Sequence, residues 1–124
     1  MPVISRATEP THQLPGTSFT SLAVPSTGTT ETSLWRVLIE PNTPATPHRL
    51  TREEIFFVLE GRARVTIAGT TDTAAAGDTI VVPAEQLFEI ANIGDGPLEA
   101  LCCMPAGGMA RIGDGEPFVP PWTS

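Results

Sequence analysis

Lysine and tyrosine are absent from this chain, and its seven positive charges, all arginines, face fourteen carboxylates. The resulting net charge of −7 and pI near 4.6 repel a phosphate backbone or an anionic lipid surface, so neither nucleic acid nor membrane is an expected partner. An all-arginine basic set is the mark of a GC-rich genome, which we read as bacterial. Cysteine is scarce: Cys102 and Cys103 are the two, and adjacent residues do not suit disulfide geometry. Reduced thiols are expected. No apolar run approaches the length of a membrane span, and "MPVISRATEP" has no apolar segment after a basic one, so the expected location is the cytoplasm. No stretch holds a helical period over three turns, which leaves strands as the only regular element to look for.

What remains is turn chemistry and short apolar alternation. The 124 residues include 13 prolines and 11 glycines and are 40% hydrophobic, which suits one all-β domain with a single core. Residues 1–32, rich in Thr, Ser and Pro, form an N-terminal arm with edge strands possible around Phe19 to Val24. In "SLWRVLIE", Trp35, Val37 and Ile39 share one face. In "EIFFVLE", Glu54, Phe56 and Val58 share one face and Ile55, Phe57 and Leu59 the other, so both faces are expected to be buried. "RARVTIA" reads as half-exposed, "GTTDTAAAGDT" as turn, and "IVVP" as a short strand. In "LFEIAN" the charge of Glu89 directs Phe88 and Ile90 inward. In "LEALCCM", Leu98, Ala100, Cys102 and Met104 point inward by the same argument. Residues 33–105 form the core, and 106–124, with Phe118 and Trp122, form a tail wrapping over it. Short strands separated by turns at even spacing predict a sandwich or barrel.

"PHRLTREEIFFVLEG" places His48, Glu54 and Gly61 at intervals that resemble the first signature of the cupin family, G-x5-H-x-H-x3,4-E-x6-G. "GDTIVVPAEQLFEIAN" resembles the second, G-x5-P-x-G-x2-H-x3-N, with Gly77, Pro83 and Asn92 in place. The resemblance implies a single-domain cupin jelly-roll β-barrel, a pocket inside it, and a homodimer. It also implies a divalent metal held by three histidines and one glutamate, but Leu50 and Phe88 stand where two of the histidines would be, and Glu85 replaces a signature glycine.

An imidazole and one carboxylate are too few donors for tight binding of a transition metal. His48 and Glu54 would be metal ligands only if other donors, such as Cys102 or His12, joined them. No cofactor is the first expectation and one divalent transition metal the alternative. Without a metal, His48 is the candidate base and Glu54 the group that orients it, and an inward carboxylate without a partner must shift its pKa. Trp35, Leu50, Phe56, Phe88, Ile90, Cys102 and Met104 are the expected pocket wall, suited to an apolar or aromatic small molecule. Three functions follow: a metal-independent acid/base enzyme of isomerase, cyclase or lyase type; a metal-dependent oxygenase or isomerase; and a metabolite-binding module without chemistry.

Overall fold

In the computed structural model, which describes residues 3–124, eleven strands follow one another with no α-helix among the described residues. The first two residues of the arm assigned to 1–32 lie outside that description. The strands are β1 (His12–Leu14), β2 (Thr17–Ala23), β3 (Thr32–Ile39), β4 (Arg49–Leu50), β5 (Glu54–Glu60), β6 (Arg62–Ile67), β7 (Thr70–Ala75), β8 (Thr79–Val82), β9 (Phe88–Asn92), β10 (Leu98–Pro105) and β11 (Ala110–Arg111). A six-stranded sheet runs β1-β2-β3-β10-β5-β8, facing a three-stranded sheet β7-β6-β9, with β4 and β11 paired alongside. Every strand pair is antiparallel. The result is an all-β jelly roll, and no described helix is long and apolar enough to cross a membrane.

Side-chain alternation explains the core. On β10, Leu98, Ala100, Cys102 and Met104 are buried while the residues between them are half-exposed; Trp35 and Val37 of β3 and Phe56 and Val58 of β5 meet them from both neighbours. Ala63 and Val65 of β6 and Phe88 of β9 close the core from the opposite sheet.

One expectation fails here. Residues 70–75 are a strand rather than a turn, in register with β6 from Arg62↔Ala75 to Ile67↔Thr70. Only Ala74 of this strand is buried, so pairing rather than a hydrophobic face holds it, and no alternation marks it. Its hairpin turns on Ala68 and Gly69, both at positive φ (49° and 83°). The outer face of β5, expected to pack on a second sheet or a partner, is not covered by this chain: Ile55, Phe57 and Leu59 are 37–40% exposed, and no layer of the described residues packs on the outside of the large sheet.

The signature positions have backbone reasons. Gly61 takes φ 90° between β5 and β6, and a Cβ there would lie 2.5 Å from the Pro97 carbonyl oxygen. Glu85 takes φ 66° where the signature has glycine, a conformation costing an L-residue roughly 1 kcal/mol. Its N–H donates to the Leu50 carbonyl (2.7 Å) and its own carbonyl accepts from Arg49 Nη1 (3.1 Å), which holds the turn against β4. Asn92 knits the turn that follows it. Its Nδ2 donates to the carbonyls of Ile39 (2.8 Å) and Gly96 (2.9 Å), while Oδ1 accepts from Gly94 N–H (2.9 Å).

Candidate functional site

Between the two larger sheets lies a cavity of about 270 Å³. Trp35, Leu50, Phe56, Phe88, Ile90, Cys102 and Met104 all line it, and so do His48 and Glu54. Strand alternation brings β3, β5, β9 and β10 residues to this space. His48 reaches it differently: its backbone exchanges two 2.9 Å hydrogen bonds with Phe88 just before β4, fixing the imidazole beside the Phe88 ring at 4.2 Å between centroids.

Glu54 is 5% exposed at the start of β5. Removal from water pushes its carboxyl up from 4.5 to about 8, and the neighbouring Cys102 thiol offsets only part of that rise. At neutral pH Glu54 is therefore a carboxylic acid. Cys102, 1% exposed, is pushed well above the usual thiol range by burial first and then by the negative charge Glu54 would carry, so it is no thiolate nucleophile. His48 is half-buried. Burial lowers its pKa, and the Thr46 carbonyl, 2.8 Å from Nδ1, restores part of the charged form's stability. That bond assigns the neutral tautomer with hydrogen on Nδ1, leaving Nε2 as a lone-pair acceptor. The cavity thus combines a neutral acid and a neutral base.

The three-histidine, one-glutamate centre that the signatures imply does not fit these residues. Leu50 and Phe88 offer no lone pairs, and among the described residues no three His, Cys, Asp or Glu side chains converge as a metal site would need. His12 does not line the cavity; its Nδ1 is hydrogen-bonded to Thr11 Oγ1 at 2.9 Å on β1.

Sequence reasoning missed both ends of the wall. From the arm come Leu14, Thr17 and Phe19, and from the tail Phe118, Pro120 and Trp122. Trp122 stacks on Phe19 at 3.7 Å with rings 7° apart, and the tail is fixed by Ser33 and Ser21 hydroxyls donating to the carbonyls of Thr123 and Trp122. A tryptophan in a proline-rich tail was the available signal. Such contacts span about a hundred residues and leave no periodicity. A larger hollow of about 560 Å³ lies between β7 and β8, but its acids already serve the backbone: Asp72 Oδ1 accepts from Thr73 N–H and Asp78 Oδ2 from Ala75 N–H. Without a histidine, cysteine or buried polar group, it offers no comparable chemistry.

Architecture and cavity together define a small β-barrel protein with an internal, largely apolar pocket. Residues 35–104 match the family model described as "Cupin domain", and the chain belongs to the cupin family. It is similar in structure to the polyketide cyclase RemF of Streptomyces resistomycificus, at 21% identity and TM-score 0.71, covering 82% of this chain and 73% of that one. It is also similar to KdgF from a Halomonas species, at 19% identity and TM-score 0.68, covering 78% and 86%. At these identities the likeness is one of fold. The uncharacterised protein MJ1618 of Methanocaldococcus jannaschii is 43% identical over 53 residues, a match spanning 43% of this chain and 42% of that protein.

Proposed function

We propose that the barrel binds an apolar small molecule, on which His48 and Glu54 act as base and acid. The observation that carries this reading is the cavity: an aromatic and aliphatic wall broken by a few polar groups, among them one imidazole and one buried carboxyl, a proton acceptor and a proton donor. Proton transfer of that kind serves isomerisation, ring closure or elimination. A ring-closing enzyme among the similar folds agrees with this class of chemistry without establishing it.

The test uses the chain's two tryptophans, Trp35 and Trp122, which both line the cavity. In a 15N-labelled sample at pH 7, naphthalene should shift both indole N–H resonances saturably, with a Kd on the order of 10–100 μM for ten apolar atoms. Unmoved indoles at saturating naphthalene would remove the reading.

We also propose that two copies pair through the outer face of β5, β8 and β10. Ile55, Phe57 and Leu59 stand next to Val81, which is 49% exposed, and a two-fold pairing would cover this apolar face with its own copy. Sedimentation should give twice the 13.1 kDa mass for the wild type and the monomer mass for Phe57→Glu. A monomeric wild type at micromolar concentration sinks this part.

A further inference from the structure

The cavity wall contains no arginine, and the chain has no lysine. His48, the one wall residue able to become a cation, is held neutral by burial. A carboxylate or phosphate entering this space would shed its hydration and meet no counter-charge, a cost of several kcal/mol in an apolar site. The polar groups that are present are directional. The Cys102 thiol lies beside the Glu54 carboxyl, and His48 Nδ1–H is committed to the Thr46 carbonyl. What remains at the Glu54 and His48 end for a ligand is the Glu54 O–H as donor and the His48 Nε2 lone pair as acceptor; the other polar groups of the wall, the Trp35 and Trp122 indole N–H groups and the Thr17, Thr43 and Thr46 hydroxyls, are uncharged and lend an anion no counter-charge. Among the described residues no titratable group besides Cys102 and His48 faces Glu54: β8 presents Val82 opposite it, β10 brings Cys102, and His48 comes from the segment before β4; Cys103, the neighbour of Cys102, points to the other side of β10.

We infer that the pocket selects an uncharged, mostly apolar molecule bearing a carbonyl or similar acceptor oxygen, which accepts a hydrogen bond from the Glu54 carboxylic acid, and that it rejects anions of the same shape. This rests on the cavity-binding reading above and names its ligand class. The volume, equal to that of on the order of nine liquid waters, suits a molecule of one or two rings. With Glu54 as donor, binding of such a carbonyl is a proton-linked event. Ionising Glu54 removes the donor and sets a negative charge against the carbonyl oxygen, so affinity falls as pH rises past about 8.

The test compares three naphthalenes of similar shape by the indole shifts of Trp35 and Trp122. These are 2-acetylnaphthalene, 2-naphthoate and 2-ethylnaphthalene, the ketone, the anion and the hydrocarbon. At pH 7 the ketone should bind at least tenfold more tightly than the naphthoate. Between pH 6.5 and 9 its affinity should fall about tenfold in the wild type and stay flat in Glu54→Gln, whose amide donates at every pH. Naphthoate binding as tightly as the ketone at pH 7, or ketone binding independent of pH in the wild type, overturns the inference. If 2-ethylnaphthalene still binds in that event, the apolar-cavity reading survives alone. If none of the three binds, both fall.

Discussion

Replacing Glu54 with glutamine is expected to stabilise the protein at pH 8 by on the order of 3–5 kcal/mol and to change nothing at pH 4. Folding moves this carboxyl from water, where it ionises at 4.5, to a site where it ionises at about 8. Between those values the unfolded chain gives up the proton and the folded chain keeps it, so stability falls with rising pH by up to about 1.4 kcal/mol per unit. Above about 8 both states are ionised and the loss is complete. Glutamine has nearly the same shape, does not ionise and can still meet Cys102, so its advantage opens above pH 4.5 and levels off near 8. In a chain of this size the gain corresponds to roughly 10 °C or more in Tm. His48 acts in the opposite window. Its lowered pKa means that the unfolded chain takes up a proton first as pH falls below 6.5, which weakens wild type and variant alike. Thermal unfolding followed by circular dichroism from pH 4 to 9 checks both signs. Parallel Tm profiles for the two proteins would show that Glu54 is not held as a neutral acid.

A group that weakens the fold at working pH is a poor choice for packing alone, since leucine or glutamine would serve better. That argument could be made in part from the sequence. Glu54 sits in an alternating apolar strand, and alternation on β3, β5, β9 and β10 was enough to assign an inward set that the structure places around one cavity. The two signature frames fixed the family. What the sequence could not convey was the sign of the Glu54 shift, because it depends on which side chain arrives from another strand, and the arriving side chain is a thiol rather than an arginine. The arm and tail were legible only as extended chain: Phe19 and Trp122 are a hundred residues apart, and their stacking follows from tertiary closure. The apolar outer face of β5 was legible as a face needing cover, but not what covers it. Apolarity on both faces of a strand reports that both need cover, without saying whether the same chain supplies it.

The second large effect concerns the two missing histidines. Leu50 and Phe88, 3% and 2% exposed, line the same cavity as His48 and Glu54 and occupy the positions where the signatures carry imidazoles. Leu50→His with Phe88→His should therefore create a centre of three imidazoles and a carboxylate, taking one equivalent of Zn2+ or Co2+ with at least hundredfold higher affinity than the wild type. The substitutions carry a cost. Phe88 packs against His48 and stands edge-on to Phe56 at 6.4 Å, and losing that contact along with the Leu50 side chain should destabilise the metal-free variant by about 3–5 kcal/mol. Metal should restore it, since binding energy at a site formed only in the folded state is folding energy. Coordination also needs the ionised carboxylate, so uptake at pH 7 should release the Glu54 proton to the buffer, and Glu54→Gln on the same background should weaken binding by a factor on the order of ten or more. Cobalt absorption, proton release and metal-dependent Tm read these effects independently. A wild type that binds one equivalent of metal as tightly as the double variant would mean that donors beyond His48 and Glu54 reach the cavity. The shortage of ligands argued from Leu50 and Phe88 would then be wrong.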